Sequence, residues 1–231
     1  MIPLKDENPT RSTPWLTLLL LALNVYTYGW EVAQSGNLLQ PMAAAHMRAL
    51  ADVFGVVPAR LWNLEGGWPG WPVAGSLFPL VTSTFLHGDL MHLFGNMLYL
   101  WIFGNNVEDV MGHARFVLFY FVCAVVAAVA QTLADPRSAV PMIGASGAIA
   151  GVLGAYLVRF PRANVLVLVW FFLFLRVVRI PALIMLGLWF VYQLLAAGRG
   201  GGGIAWHAHI GGFVAGALLL HVFVSPSRRR R

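Results

Sequence analysis

Apolar stretches of about fifteen to twenty-one residues recur along this chain. They run from Trp15 to about Trp30 and over roughly 90–104, 115–134, 144–158, 181–197 and 204–224. About 20 apolar residues cross a bilayer core as a helix. Lipid offers no partner to backbone N–H and C=O groups, so runs of this kind fold as helices and pack as a bundle. Charged residues make up only 10% of the chain, against about 25% in a soluble domain, which excludes a soluble enzyme. The expected fold class is an all-α polytopic membrane protein, a six-transmembrane-helix bundle with a long interfacial first loop. The first run follows Lys5 and Arg11 in the manner of a signal peptide. No small-residue cleavage site follows it, so it is read as an uncleaved first span.

Charge placement orients the bundle. Six spans put both termini on one side, and that side carries eleven of the fifteen basic residues, four of them Arg228 to Arg231. Arg48, Arg60, Arg137 and Arg199 fall on the other side. The positive-inside rule then makes the termini cytoplasmic. The terminal arginines beside a span suit an anionic lipid surface rather than nucleic acid. Residues 1–14 read as a cytoplasmic segment, 15–224 as the membrane domain and 225–231 as a basic cytoplasmic tail. The first loop, 31–88, holds Trp62, Trp68 and Trp71 and an amphipathic stretch from Pro41 to Phe54, features of a segment lying on the bilayer face. Residues 163–180 are apolar but short for a span and carry Arg176 and Arg179, so they read as an interfacial segment leading into the fifth span. Cys123, the single cysteine, lies in an apolar run and reads as a small buried residue. No internal repeat is evident, which leaves inverted-repeat transporters unsupported.

Polar side chains inside spans need a reason to be there. "LHGDLMHLFGN" sets His92 and Asn96 four apart on one helical face, "GASGAIAG" carries Ser146, and "AWHAHIGGFVAG" carries His207 and His209. All three spans begin on the external side. Counted from the loop ends at about 1.5 Å per residue, His92, Ser146 and His209 lie roughly 6–9 Å below that surface and Asn96 near 12 Å. Gly147 and Gly151 on one helix, and Gly212 and Gly216 on another, form small faces that let two backbones approach. Singly, each residue has another reading: the serine as packing, a histidine as structural or part of a proton path, His92 and Asn96 as partners of one another. Their shared depth favours chemistry, with Ser146 as nucleophile and a histidine as its base.

At these residues the chain resembles the rhomboid family of intramembrane serine proteases. "GASGAIAG" matches the family's G-x-S-G segment through Gly144, Ser146 and Gly147, and "HIGGFVAG" its H-x-x-G-x-x-x-G helix. "HGDLMHLFGN" carries the H-x-x-x-N pair, and "FGNNVEDVMG" matches the turn after the second span. The likeness covers approximately residues 75–224. It implies Ser146 as nucleophile, His209 as general base, and His92 and Asn96 with the Ser146 N–H as the oxyanion hole. His87 then corresponds to an accessory histidine near the cavity mouth, with His207 a further supporting or cavity-lining residue. The family's first-loop Trp-Arg pair is replaced by Phe78-Pro79, and its aromatic four residues after the serine by Ala150.

The serine and histidine spans contain no Asp or Glu, so the residues allow a dyad and no carboxylate triad. The glycine run "GRGGGG", 198–203, reads equally as a flexible cap over the site or a plain linker. The implied partners are transmembrane protein substrates, entering between the second and fifth spans, and the lipid bilayer; no nucleic acid, cofactor or metal is implied. The Ala/Gly/Arg-rich composition points to a bacterial source and hence an inner membrane, with the site opening externally. A silent rhomboid-like protein that binds membrane clients without cutting them is the alternative.

Overall fold

The computed structural model describes residues 1–62, 77–171, 174–199 and 203–224. Trp68, Trp71, Gly200 to Gly202 and the arginine tail lie outside the described residues. The protein is mostly helical. Helix α1 (Trp15–Ser35) starts behind Pro14 and stops at Gly36, whose φ of 66° suits a glycine and whose N–H donates to Val32. The first loop then folds back in short pieces: a 3-10 turn at Pro41–Ala43, α2 (Ala45–Phe54), α3 (Pro58–Trp62) and α4 (Pro79–Thr82). The amphipathic stretch expected at Pro41 to Phe54 is thus a turn and a helix, burying Met47 and Ala51 against Met42 and Leu86.

The second span is one helical path from Leu90 to Met111. It comprises α5 (Leu90–Tyr99), a π-helical turn at Leu100–Gly104 and α6 (Asn105–Met111). At the π turn Gly104 lies so close to Thr17 of α1 that an added methyl would sit 3.1 Å from its side chain. Below the turn, Glu108 accepts the Leu16 and Thr17 N–H groups and the Thr17 hydroxyl, capping the start of α1 with a carboxylate. Helix α7 (His113–Ala134), α8 (Ser146–Arg159), α9 (Ala182–Arg199) and α10 (Trp206–Phe223) complete the bundle. Helices α1, α7, α9 and α10 are each long and apolar enough to cross a membrane.

Helix α8 is the axis of the molecule. Every residue from Ala148 to Tyr156 is buried, and around them pack Leu100, Phe103, Phe116, Tyr120 and Leu186. Its 14 residues span only about 21 Å, short of a bilayer core. A three-stranded antiparallel sheet extends the structure beyond its C-terminal end: β1 (Ile2–Asp6), β2 (Asn164–Phe171) and β3 (Phe174–Pro181), in that order. The hairpin pairs Asn164 with Pro181 through to Phe171 with Phe174. Val165 and Val167, on one face of β2, are fully buried in the helical core. Residues 163–180, expected as an interfacial segment, are therefore mostly sheet. Their alternating β-branched residues suit a pleat with one packed face. The N-terminal segment is equally built in, through β1.

Candidate active site

Ser146 is the first residue of α8, so its N–H and those following it have no carbonyl one turn earlier to bond. The chain reaches it through Gly144, at φ 113°, a conformation that favours glycine. Gly144 is held by its N–H donating to the Ser83 carbonyl at 2.8 Å. An added methyl at Gly144 would lie 2.6 Å from two ring atoms of His92 and 3.6 Å from Asn96 Nδ2. The approach to Ser146 thus runs directly against both residues of the H-x-x-x-N pair.

His209 comes to Ser146 on α10, and glycines make this contact close. A methyl on Gly212 would fall 2.1 Å from the Gly147 carbonyl oxygen, and one on Gly216 only 1.8 Å from that of Gly151. Helices α8 and α10 therefore touch backbone to backbone, along the two small faces recognised in the sequence. At their outer end Ser146 Oγ and His209 Nε2 are 2.9 Å apart. Both side chains are half-buried, so water has a route to them. A cavity of about 40 Å³ adjoins Ser146, bordered by Ser83, Ala127, Ala128, Gly147 and Ala208. That is room for about one water or one small side chain.

On α5, Asp89 caps the helix by accepting the His92 N–H at 2.8 Å. His87 is fully buried, its Nε2 3.0 Å from Asn96 Nδ2 and its N–H donating to Glu31 of α1 at 3.3 Å. Burial, with His92 beside it, pushes His87 down to about 3, so it stays neutral and braces Asn96. Expected near a cavity mouth, its side chain is fully buried, against Asn96 and the ring of His92. His207 is half-buried at the start of α10, where its N–H and that of Ala208 donate to Gln131 of α7. Among the described residues no three His, Cys, Asp or Glu side chains are grouped to hold a metal.

The Rhomboid domain profile matches residues 74–226, which take in α5 and α7 to α10. The chain belongs to the rhomboid family. The alignment with Rhomboid protein 1, mitochondrial, of Saccharomyces cerevisiae is 30% identical over 169 residues, 68% of this rhomboid and 45% of the yeast protein. With Rhomboid protease GluP of Bacillus subtilis identity is 40% over 83 residues, covering 36% and 16% of the two chains. Rhomboid-like protein 11, chloroplastic, of Arabidopsis thaliana is 36% identical over 104 residues, 45% of this chain and 35% of its own length. The chain thus matches less than half the length of each of these relatives.

Two departures of this rhomboid from the family pattern have visible substitutes. Ala150 is buried inside α8 and brings no ring to the histidine. Two indoles from other helices flank it instead, Trp189 of α9 with its centroid 6.0 Å from that of His209 and Trp206 at 6.1 Å. In the first loop, Phe78 packs on Phe54 at 6.3 Å while Thr82 donates to the Phe54 carbonyl, so Phe78-Pro79 docks α4 onto α2. One polar contact escapes a search for ionisable residues: Gln193 of α9 places Oε1 2.8 Å from His209 Nδ1. Its signal in the sequence is a lone amide within the apolar run "WFVYQLL".

Proposed function

We propose that this rhomboid is an intramembrane serine endopeptidase. The carrying observation is the 2.9 Å approach of Ser146 Oγ to His209 Nε2 at the half-buried start of a buried helix. In this reading His209 takes the Ser146 proton as Oγ attacks a peptide carbonyl. The tetrahedral oxyanion is received by the Ser146 N–H, Asn96 Nδ2 and His92, at the positive end of α8. His209 then protonates the leaving amine, and water, activated by the same imidazole, hydrolyses the acyl-enzyme. The small cavity beside Ser146 suits a small side chain next to the scissile bond. A formed helix hides its carbonyls in its own hydrogen bonds, so the substrate is a transmembrane segment with helix-weakening residues, entering between the second span and α9. The chain is an integral membrane protein. Its charge distribution supports cytoplasmic termini and a site facing outward, and its Ala/Gly/Arg-rich composition a bacterial inner membrane.

The test is fluorophosphonate labelling of the purified protein beside cleavage of a transmembrane reporter. Wild type is expected to do both, and Ser146→Ala neither. Equal labelling and cleavage by Ser146→Ala would overturn the assignment. Inactivity of both forms with retained client binding would favour a silent client-binding rhomboid.

A further inference from the structure

Helix α9 lies at the edge of the bundle, with Leu188, Val191, Leu194 and Leu195 exposed along it. Between Gly187 and Arg199 a single residue is buried, and it is polar: Gln193, 3% exposed. An amide withdrawn from water in an apolar span needs partners at both ends. Gln193 Nε2 donates to the Trp189 carbonyl one turn back, at 3.3 Å, and Oε1 lies 2.8 Å from His209 Nδ1.

These contacts carry directional information. A backbone carbonyl only accepts, so the Gln193 amide must turn its NH₂ toward Trp189 and its oxygen toward His209. That oxygen has no hydrogen, so His209 Nδ1 must carry the proton. In a neutral imidazole Nε2 then has the lone pair, and Nε2 is the nitrogen facing Ser146 Oγ. A reversed amide would donate to Nδ1, move the ring proton to Nε2 and point a donor at the serine, the wrong tautomer for a base. The stacking of Phe190 on Phe213 at 4.4 Å holds α9 in place for this contact.

Building on the Ser146–His209 reading, we propose that Gln193 is the positioning residue of His209. It locks the imidazole as the Nδ1–H tautomer through a chain running from the Trp189 carbonyl to the serine hydroxyl. The lock replaces with a neutral amide what a carboxylate supplies in a Ser-His-Asp triad.

The experiment uses full-length protein labelled with ¹⁵N-histidine, with the His209 ring signals identified by their loss in His209→Ala. Nδ1 is expected to be protonated and Nε2 bare at neutral pH. In Gln193→Met the two tautomers should exchange. Reporter cleavage should then lose kcat on the order of 100-fold, less than the roughly 10⁴-fold loss of a base held wholly in the wrong tautomer, with KM and Tm unchanged. Gln193→Glu keeps an acceptor at Nδ1 and should retain the wild-type tautomer and most of kcat. A proton on Nε2 in wild type, or Gln193→Met with unaltered His209 signals and kcat, would overturn the proposal. The nitrogen spectrum needs no turnover, so a locked tautomer in a protein that neither labels nor cleaves supports the lock while removing the protease reading.

Discussion

At the scale of single residues, the candidate site holds its hydrogen-bond directions fixed, as the proposed chemistry requires before any substrate arrives. Asn96 is the clearest case: it is buried, its amide is within 3.0 Å of a His87 ring that burial keeps neutral, and His87 is pinned in turn by Glu31. A donor held this way needs no rearrangement as charge develops, and one such donor is worth about 3 kcal/mol in a transition state. Asn96→Ala is therefore expected to lower kcat for reporter cleavage roughly 100-fold, leave KM near wild type and slow fluorophosphonate labelling in parallel. An equal rise in KM would instead make Asn96 a substrate-binding group. The residues proposed to react were legible in the sequence because Ser146, His209 and His92 carry chemistry at one depth along their helices, with Asn96 one turn below His92. Gln193 and Glu31 were not singled out. Their roles depend on how α9 and α1 rotate against the core, and an apolar run does not reveal that rotation.

At the scale of elements, the contact between α8 and α10 decides whether those residues meet at all. Glycine allows it, since at Gly216 any side chain would collide with the Gly151 carbonyl oxygen at 1.8 Å. Gly216→Ala should force the helices apart and destabilise the protein by about 1–3 kcal/mol or more, read as a lowered Tm in detergent together with lost cleavage. Gly187 of α9 supplies the control, because a methyl there meets nothing within 4 Å. Gly187→Ala should leave Tm unchanged or raise it by the helix-propensity difference of up to about 1 kcal/mol. The small-xxx-small spacing made the α8–α10 contact readable from sequence. The hairpin of β2 and β3 was less so. An apolar stretch with β-branched alternation fits an interfacial segment as well as a strand until a partner for its buried face is known. That partner is the helical core, in which Val165 and Val167 are fully buried.

At the scale of the whole molecule, the sheet ties the N-terminus to the α8–α9 connection, 160 or so residues away in sequence. β1 pairs with β2 from Ile2–Leu168 to Asp6–Val165. Just past β1, Glu7 forms an exposed ion pair with Arg179 of β3 at 2.8 Å, of little energetic weight for its position. Asp6 is the informative group. It is 6% exposed, and the Tyr156 hydroxyl of α8 donates to it at 2.7 Å. Burial raises its carboxyl above the ordinary range, with the Tyr156 bond and then Lys5 among the effects that pull the other way. A carboxyl raised on folding contributes fully while protonated in both states, below about pH 4. Its contribution falls as pH climbs to the raised folded value and is constant beyond it. Asp6→Asn keeps an acceptor for Tyr156 without the charge. The variant should therefore match wild type in thermal unfolding below pH 4, gain on it through the window above, and be the more stable protein at pH 7. A wild type more stable than Asp6→Asn at pH 7 would mean that the carboxylate strengthens this junction as an ion. The sheet would then hold the N-terminus to α8 chiefly by charge rather than by packing.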